Sequence, residues 1–535
     1  MAEAWRRAAA GGGVHHSRDR RGTVRTLRAA RWRPATRLGL GLTLALTALA
    51  GRAREYHIES QADFDALRTA AFEPGDRILF HCGRRFRGMF APRGKGSPEA
   101  PIRILATGSG SPPRIDAGGR HPAGLLLTHP DHWEVEGLEI TNTDGTDRDQ
   151  GALFGILALV RGEDGVHRHL YIRDCFIHDV NGMVGGKQRG GIHVVIEGCR
   201  AARFDDLQIT GNRIVNVGGV GISNASSCGR VDLGPGEVAG RNLWTRVYIA
   251  GNHVERTGRN GIIVRASRNA VCEFNLLARC SRAETGHSIF GFHCEGLRLQ
   301  RNEACGNVGP EGRDRGGFDA DYNCVGTVIQ YNYSHDNEWF CGIMKRPNRD
   351  VTIRYNLSQN DRQGIYFYGF ENARQARNIR IYHNTHFVRR GLDVRVFAMD
   401  RTPLHSRFEN NVFFFEEQGQ WGRNAPGIHT VFRHNLYFHI RPPAGDPDPI
   451  VADPRLERPG TAGWGIDLRT MAAVAGYVPR ADSPCLEAAT AIPDRGDRDL
   501  LGNPVPVGRA DLGALERQPP AGGAREWACP VGRGR

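Results

Sequence analysis

A short pattern, apolar–polar–any–Asn, recurs along this chain and narrows what it can fold into. It sets Asn212, Asn252, Asn275, Asn302, Asn332, Asn356, Asn384, Asn411 and Asn435 at matching positions, and an earlier copy, Tyr171 to Cys175, puts Cys175 in the Asn place. From Asn252 onward the steps are 23, 27, 30, 24, 28, 27 and 24 residues; the two before them, 37 and 40, leave room for inserted loops. A period in the twenties with short β-branched segments means a solenoid. The L-x-x-L-x-L frame of leucine-rich repeats is missing, and so are the longer periods and Ala/Leu-rich stretches of helical repeats. A parallel β-helix remains, in which equivalent strands of successive coils stack about 4.8 Å apart. An amide side chain has donors and an acceptor, so a column of Asn can bond turn backbone and its own neighbours. The 69 glycines in 535 residues fit a chain of many turns.

The segments I-H-D-V-N-G (177–182), R-F-D-D-L (203–207), G-G-F-D-A-D-Y-N-C (316–324) and I-Q-Y-N-Y-S-H-D-N (329–337) carry a resemblance. Across most of residues 55–516 the chain resembles the pectate-lyase-like superfamily of right-handed parallel β-helix proteins, in particular secreted bacterial repeat proteins. The resemblance implies an all-β, single-stranded right-handed solenoid. It leaves the reaction open, because the superfamily holds polysaccharide lyases, glycoside hydrolases, esterases, epimerases and phage adhesins.

The ends read as caps. Ser60 to Asp63 resembles a capping box and predicts a short helix near 61–71, followed by a turn at Gly75-Asp76 and a strand over Arg77–His81. This gives an N-terminal cap with the first strands over 51–115, the β-helix over 116–440, a Pro/Gly-rich C-terminal cap over 441–516 and a tail over 517–535. Before them, the apolar run Leu38 to Ala50 follows Arg31, Arg33 and Arg37 and ends in Ala48-Leu49-Ala50. It is too short to span a bilayer comfortably and reads as a signal peptide cleaved after Ala50, with a retained anchor as the alternative. The expectation is a secreted or periplasmic protein with no membrane span after cleavage.

The net charge of +13 does not point to nucleic acid: residues 1–50 account for +8, and the rest shows no clustered basic stripe. The twelve cysteines form no Cys-x-x-Cys and no zinc spacing, and most read as small buried hydrophobes.

A second strand precedes each Asn position, usually begun by Gly and an apolar residue. If the apolar residue points inward, its neighbours alternate outward. The Gly261 strand then offers Ile263 and Arg265, the Ser288 strand Phe290 and Phe292, and the Gly317 strand Asp319 and Asp321. The Gly342 strand offers Met344 and Arg346, or Lys345 if the loop shifts by one, and the Gly364 strand Tyr366 and Tyr368. Aromatics flanking carboxylates and cations suit a polysaccharide, whose pyranose faces lie on rings while its hydroxyls and carboxylates meet Arg. The bland alternative is that a loop, such as 223–246, covers the aromatics.

Asp319 and Asp321 are the leading catalytic pair. At i and i+2 their Cα atoms stand about 6.6 Å apart, which allows carboxylate separations of about 5 to 9 Å and hence retaining or inverting hydrolysis. The same pair could instead hold Ca²⁺, the one cofactor considered, or form an Asp–Arg ladder. With Lys345 or Arg346 as base, β-elimination on a uronate is a second mechanism. A non-catalytic glycan-binding surface protein is the rival class. Asn142 to Asp144 is similar to a polygalacturonase motif, but the partner motifs are absent and it reads as a turn.

His178-Asp179 and His335-Asp336 share one offset from the repeat, so they occupy the same corner five coils, about 24 Å, apart and read as turn-capping pairs. His335, Asp336 and Trp339 follow the Asp coil and are kept as substrate contacts. Lys187, Arg189 and His193 lie about four coils from Asp319, as contacts to a distant sugar or as a separate site.

Overall fold

The asparagine column organises the structure. In the computed structural model, residues 53–199, 201–227, 242–310, 314–343, 348–369, 376–398, 405–422 and 429–518 are described. They fall in one compact unit, Gly51–Arg535. The segment read as a signal peptide, Lys345, Arg346 and most of the loop 223–246 lie outside the described residues.

Among the described residues, successive coils lay down three long sheets of 15, 14 and 10 strands, and every pairing within them is parallel. This is the parallel β-helix expected from the repeat. Each column Asn sits at the corner between a first-sheet and a second-sheet strand, as Asn212 does between Ala202–Thr210 and Arg213–Val217. The residue before it takes positive φ: Gly211 at 68°, Phe274 at 55°, Tyr331 at 57°, His383 at 51°. For a side-chain-bearing residue that conformation costs about 1–2 kcal/mol. The Asn offsets it. Asn332 Nδ2 donates to Leu299 O at 2.9 Å and to Asn356 Oδ1 at 2.9 Å, while its Oδ1 accepts from Asn302 N at 2.9 Å and Asn302 Nδ2 at 3.1 Å. The same bonds repeat from Asn212 to Asn435, and Cys175 joins through its amide, which donates to Asn212 Oδ1 at 3.0 Å.

The interior is an apolar column running from Ile58 to Ile440 and includes the buried Cys175, Cys272, Cys280, Cys294, Cys324 and Cys341. At the N-terminus, Ser60 and Asp63 form a capping box on the helix Gln61–Leu67. That helix is shorter than the expected 61–71 because the strand Ala71–Phe72 begins next. The segment read as a C-terminal cap runs back along the second sheet. There Tyr333, Leu357, Phe387, Val412 and Leu436 pack with Met471, Val474, Tyr477, Leu500 and Leu512 in a second core.

Candidate functional site

The third sheet carries the chemistry-bearing row. Register pairs His193, Ser223, Ile263, Phe290, Asp319, Gly342 and Phe367 in successive coils. Phe318 and Ala320 flank Asp319 and enter the core, so Asp319 points the other way, as alternation predicts. Phe290 and Asp319 are therefore neighbours on one outer face, and Arg265 pairs with Phe292 further along the same strands.

Two aromatics are corrected. Tyr366 and Tyr368 were expected on this face but point into the core. Tyr366 pairs with Cys341, and Cys341 with Phe318, so Tyr366 continues the inward row. The Tyr366 hydroxyl meets His386 Nε2 at 3.0 Å, and the Tyr368 hydroxyl meets Ser406 Oγ at 2.8 Å. Gly342 and Gly364 do not hold the position that Gly317 holds, because the connections into these strands differ in length. The outward aromatic of that coil is Phe367, which stacks on Trp339 at 4.9 Å and 20°. Trp339 itself is fully buried.

Around Asp319 the structure adds residues that the sequence did not suggest. His287 Nε2 stands 3.4 Å from Asp319 Oδ2 and 3.9 Å from Asp314 Oδ1. His287 Nδ1 accepts from the Gly316 amide at 3.2 Å, which leaves the ring proton on Nε2, facing the carboxylates. The His287 ring lies 6.2 Å from Phe290 and 6.3 Å from Trp339. Asp319 is wholly buried, whereas Asp314 keeps 29% of its side chain exposed. Asp321 follows on the same strand end, and its Oδ1 accepts from the Tyr322 amide at 2.8 Å. Burial pulls the Arg265 guanidinium down to about 10, and the charge of Asp321 opposes that shift. Arg265 also donates to Ser223 Oγ and to Asn224 O.

The Lys187 cluster divides. Lys187 Nζ lies over the Phe290 ring at 5.2 Å, so its side chain reaches the coil next to Asp319. Glu284 anchors this segment by accepting from the Gly186 amide at 2.8 Å. His193 remains four coils from Asp319 along the row. It is fully buried, with Nε2 3.3 Å from Val220 O, and burial pulls it down to about 3. Arg189 pairs with Asp149.

His335 and Asp336 are placed away from this row. They belong to the second sheet, where His335 Nδ1 meets Asp336 at 2.9 Å and Nε2 meets Glu303 at 3.1 Å. Glu303 in turn accepts from the amides of Gly465 and Ile466. The C-terminal segment therefore covers His335, while Asp336 keeps 43% of its side chain exposed just past the end of that second-sheet strand, away from the third-sheet row. His178 repeats the arrangement with Asp179 at 2.7 Å and Glu139 at 2.8 Å.

Among the described residues, the groups of three or more His, Cys, Asp or Glu side chains close enough to share a metal ion are His57–Glu59–His81 and Glu303–Cys305–His335. Asp319 and Asp321 belong to neither, and Asp319 faces the His287 N–H. That surrounding, an imidazole N–H against a buried carboxylate, suits a proton-transfer partner. A separate cleft of about 620 Å³ lies on the first sheet, lined by Glu273, Gln300, Gln330, Arg354 and Gly496 among others. No helix among the described residues is long and apolar enough to cross a membrane.

No family model matches the chain. It is 27% identical to a lacto-N-biosidase of Bifidobacterium longum subsp. longum over 83% of its own length. The match covers 34% of that enzyme, so the chain spans about a third of the curated relative's length. The crystal structure of a GH136 lacto-N-biosidase from Eubacterium ramulus superposes with a TM-score of 0.54 at 21% identity, over 71% of this chain and 68% of that one. A PL6 alginate lyase, AlyGC, superposes in a mutant form with a TM-score of 0.50 at 16% identity, over 87% of this chain and 59% of that one. These structural likenesses establish the shared β-helix fold.

Proposed function

We propose that this protein is an exported carbohydrate-active enzyme, a glycoside hydrolase that cleaves a glycan lying on the outer face of the third sheet. The observation that carries the reading is the row placing Asp319 beside Phe290, with Asp321 on the same strand end and His287 against the carboxylate. The sequence similarity to a lacto-N-biosidase favours hydrolysis over elimination, and it makes a lacto-N-bioside the first substrate to offer.

In this mechanism one carboxyl protonates the glycosidic oxygen while the other attacks the anomeric carbon or activates a water. Asp321 has the counter-charge of Arg265 and is assigned the anionic role. Asp319 sits in the dry position and is assigned the proton donor, oriented by His287. Asp314, on the open side of the same imidazole, is the carboxylate nearest solvent and a third group to test. Phe290, buried beneath Lys187, is assigned the apolar floor beside Asp319, and the Lys187 amine above it is assigned as the group that meets the glycan.

The test incubates the full chain, as wild type and as Asp319→Asn, Asp321→Asn and Asp314→Asn, with a lacto-N-bioside and a panel of neutral and uronate-containing polysaccharides. New reducing ends without the near-ultraviolet absorbance of unsaturated uronate, lost in Asp319→Asn or Asp321→Asn, support the assignment. Products that carry this absorbance would make the protein a lyase and overturn it. Retained turnover in both Asp variants would remove the pair from catalysis, and glycan binding without products would leave a binding protein.

A further inference from the structure

At the opposite end from the C-terminal segment, the first two strands of the first sheet carry a cluster that the carbohydrate chemistry does not use. The strand Glu55–Ile58 pairs in parallel with Arg77–His81, and Ile58 aligns with Phe80. Glu59 and His81 follow in step, and His57 lies two residues before Glu59, so all three side chains emerge on one outward face. Tyr56 and Ile58 turn the other way, Ile58 into the apolar column.

The donor atoms converge. His57 Nδ1 stands 3.0 Å from His81 Nε2, and His81 Nε2 stands 3.2 Å from Glu59 Oε1. One donor atom from each residue falls within 4.8 Å of the other two. Ligands about 2.0–2.1 Å from a tetrahedral ion stand about 3.3 Å from one another, so these spacings are those of one coordination shell. Two imidazoles and a carboxylate match the preference of borderline divalent ions such as zinc and leave a fourth position open. The side chains are reachable from solvent, with exposures of 49% for His57, 56% for Glu59 and 30% for His81. Glu55, beside His57, is paired with Arg77 and is not counted among the ligands. The buried Glu303–Cys305–His335 group is the weaker candidate. Its His and Glu bond each other, its Glu also accepts from the covering segment, and Glu139–His178–Asp179 repeats its His–carboxylate pattern without a thiol.

We propose that His57, Glu59 and His81 form a surface site for a divalent transition metal of the zinc class, at the N-terminal edge of the solenoid. The site is independent of the glycan-cleaving reading.

The test titrates untagged full-length protein with zinc against a chromophoric chelator, and with cobalt by visible spectroscopy. The expected result is one zinc held more tightly than any other, an intense tetrahedral cobalt spectrum, and affinity at least about tenfold weaker in His57→Ala and in His81→Ala. Neither side chain enters the apolar column, so circular dichroism should show the variants folded. Zinc binding unchanged in both variants, or a pale octahedral cobalt spectrum in the wild type, would overturn the site. His335→Ala serves as the contrast: loss of zinc in that variant alone would move the metal to the buried cluster and refute this proposal.

Discussion

Asn332→Ala tests the asparagine column where it is most continuous. The side chain is fully buried and takes part in four hydrogen bonds: two from its Nδ2, to Leu299 O and Asn356 Oδ1, and two accepted by its Oδ1, from Asn302 N and Asn302 Nδ2. Asn302 Nδ2 keeps two further acceptors, Cys272 O and Gln300 O. The Leu299 carbonyl keeps its place in the ladder with the strand Val328–Gln330, so the truncation falls chiefly on the Asn302 amide N–H, enclosed by the coil. Stripping the partner from a buried polar group costs about 1–3 kcal/mol, which is the expected loss here. Against a total stability of about 5–15 kcal/mol for an ordinary domain, that is enough to move the transition visibly. Tyr331 would also keep its positive φ without the bonds that offset it. Urea unfolding followed by far-ultraviolet circular dichroism measures the change. Hydrogen exchange should place the weakening at the Asn302 amide, because repeat proteins lose stability locally. A shift below about 0.5 kcal/mol, the range of an ordinary surface substitution, would refute the column as a stabilising element.

Asp361 should impose a pH slope on stability. Burial pushes its carboxyl up to about 7 although Ser334, Ser358 and Asn337 donate to it. The folded state thus holds a proton that the unfolded chain, with an ordinary carboxyl near 4, has released, and stability falls as pH rises from about 4 to about 7. Melting temperatures over that window should show a shallower slope in Asp361→Asn, and an unchanged slope would exclude this residue as the source. Trp339→Ala removes a buried ring stacked on Phe367 and should cost about 3–5 kcal/mol in chemical unfolding. Lys187→Ala should raise KM about tenfold with kcat held if the amine meets the bound glycan. Unaltered kinetics would make the Lys187–Phe290 contact structural only.

The coil repeat was legible because the corner chemistry is local. The column needs an amide at one position per coil, and the residue ahead of it varies freely among Gly, Phe, Arg, Tyr, Asn and His. The capping box at Ser60 and the strand Arg77–His81 were legible for the same reason. The third sheet was harder, since its entry loops differ in length from coil to coil. The Gly–apolar signature located the inward residue at Phe318 but slipped at Tyr366, where a one-residue offset exchanges the two faces. Asp319 was found by alternation. Its partner His287 precedes the strand Ile289–Phe292 and carries no periodic signal, and Lys187 arrives from a segment nearly a hundred residues before Glu284, the residue that anchors it. The placement of His335 was hidden by the return of the C-terminal segment, a contact between residues more than a hundred positions apart.

The column is also a one-way structure. Each Asn turns its oxygen toward the preceding coil and its nitrogen toward the following one, from Asn212 to Asn435, so the amide dipoles add along the axis. The first corner, Cys175, joins the column only as a donor, through its backbone amide, and the last nitrogen meets Asp446, a side chain that only accepts. A carboxylate there satisfies the final donor and places negative charge at the positive pole of the stack. The polarity gives the solenoid a growth rule. A duplicated coil can be spliced between two existing ones, since its amide accepts on one side and donates on the other. A coil appended past the end would have to displace Asp446 and supply a terminating acceptor of its own.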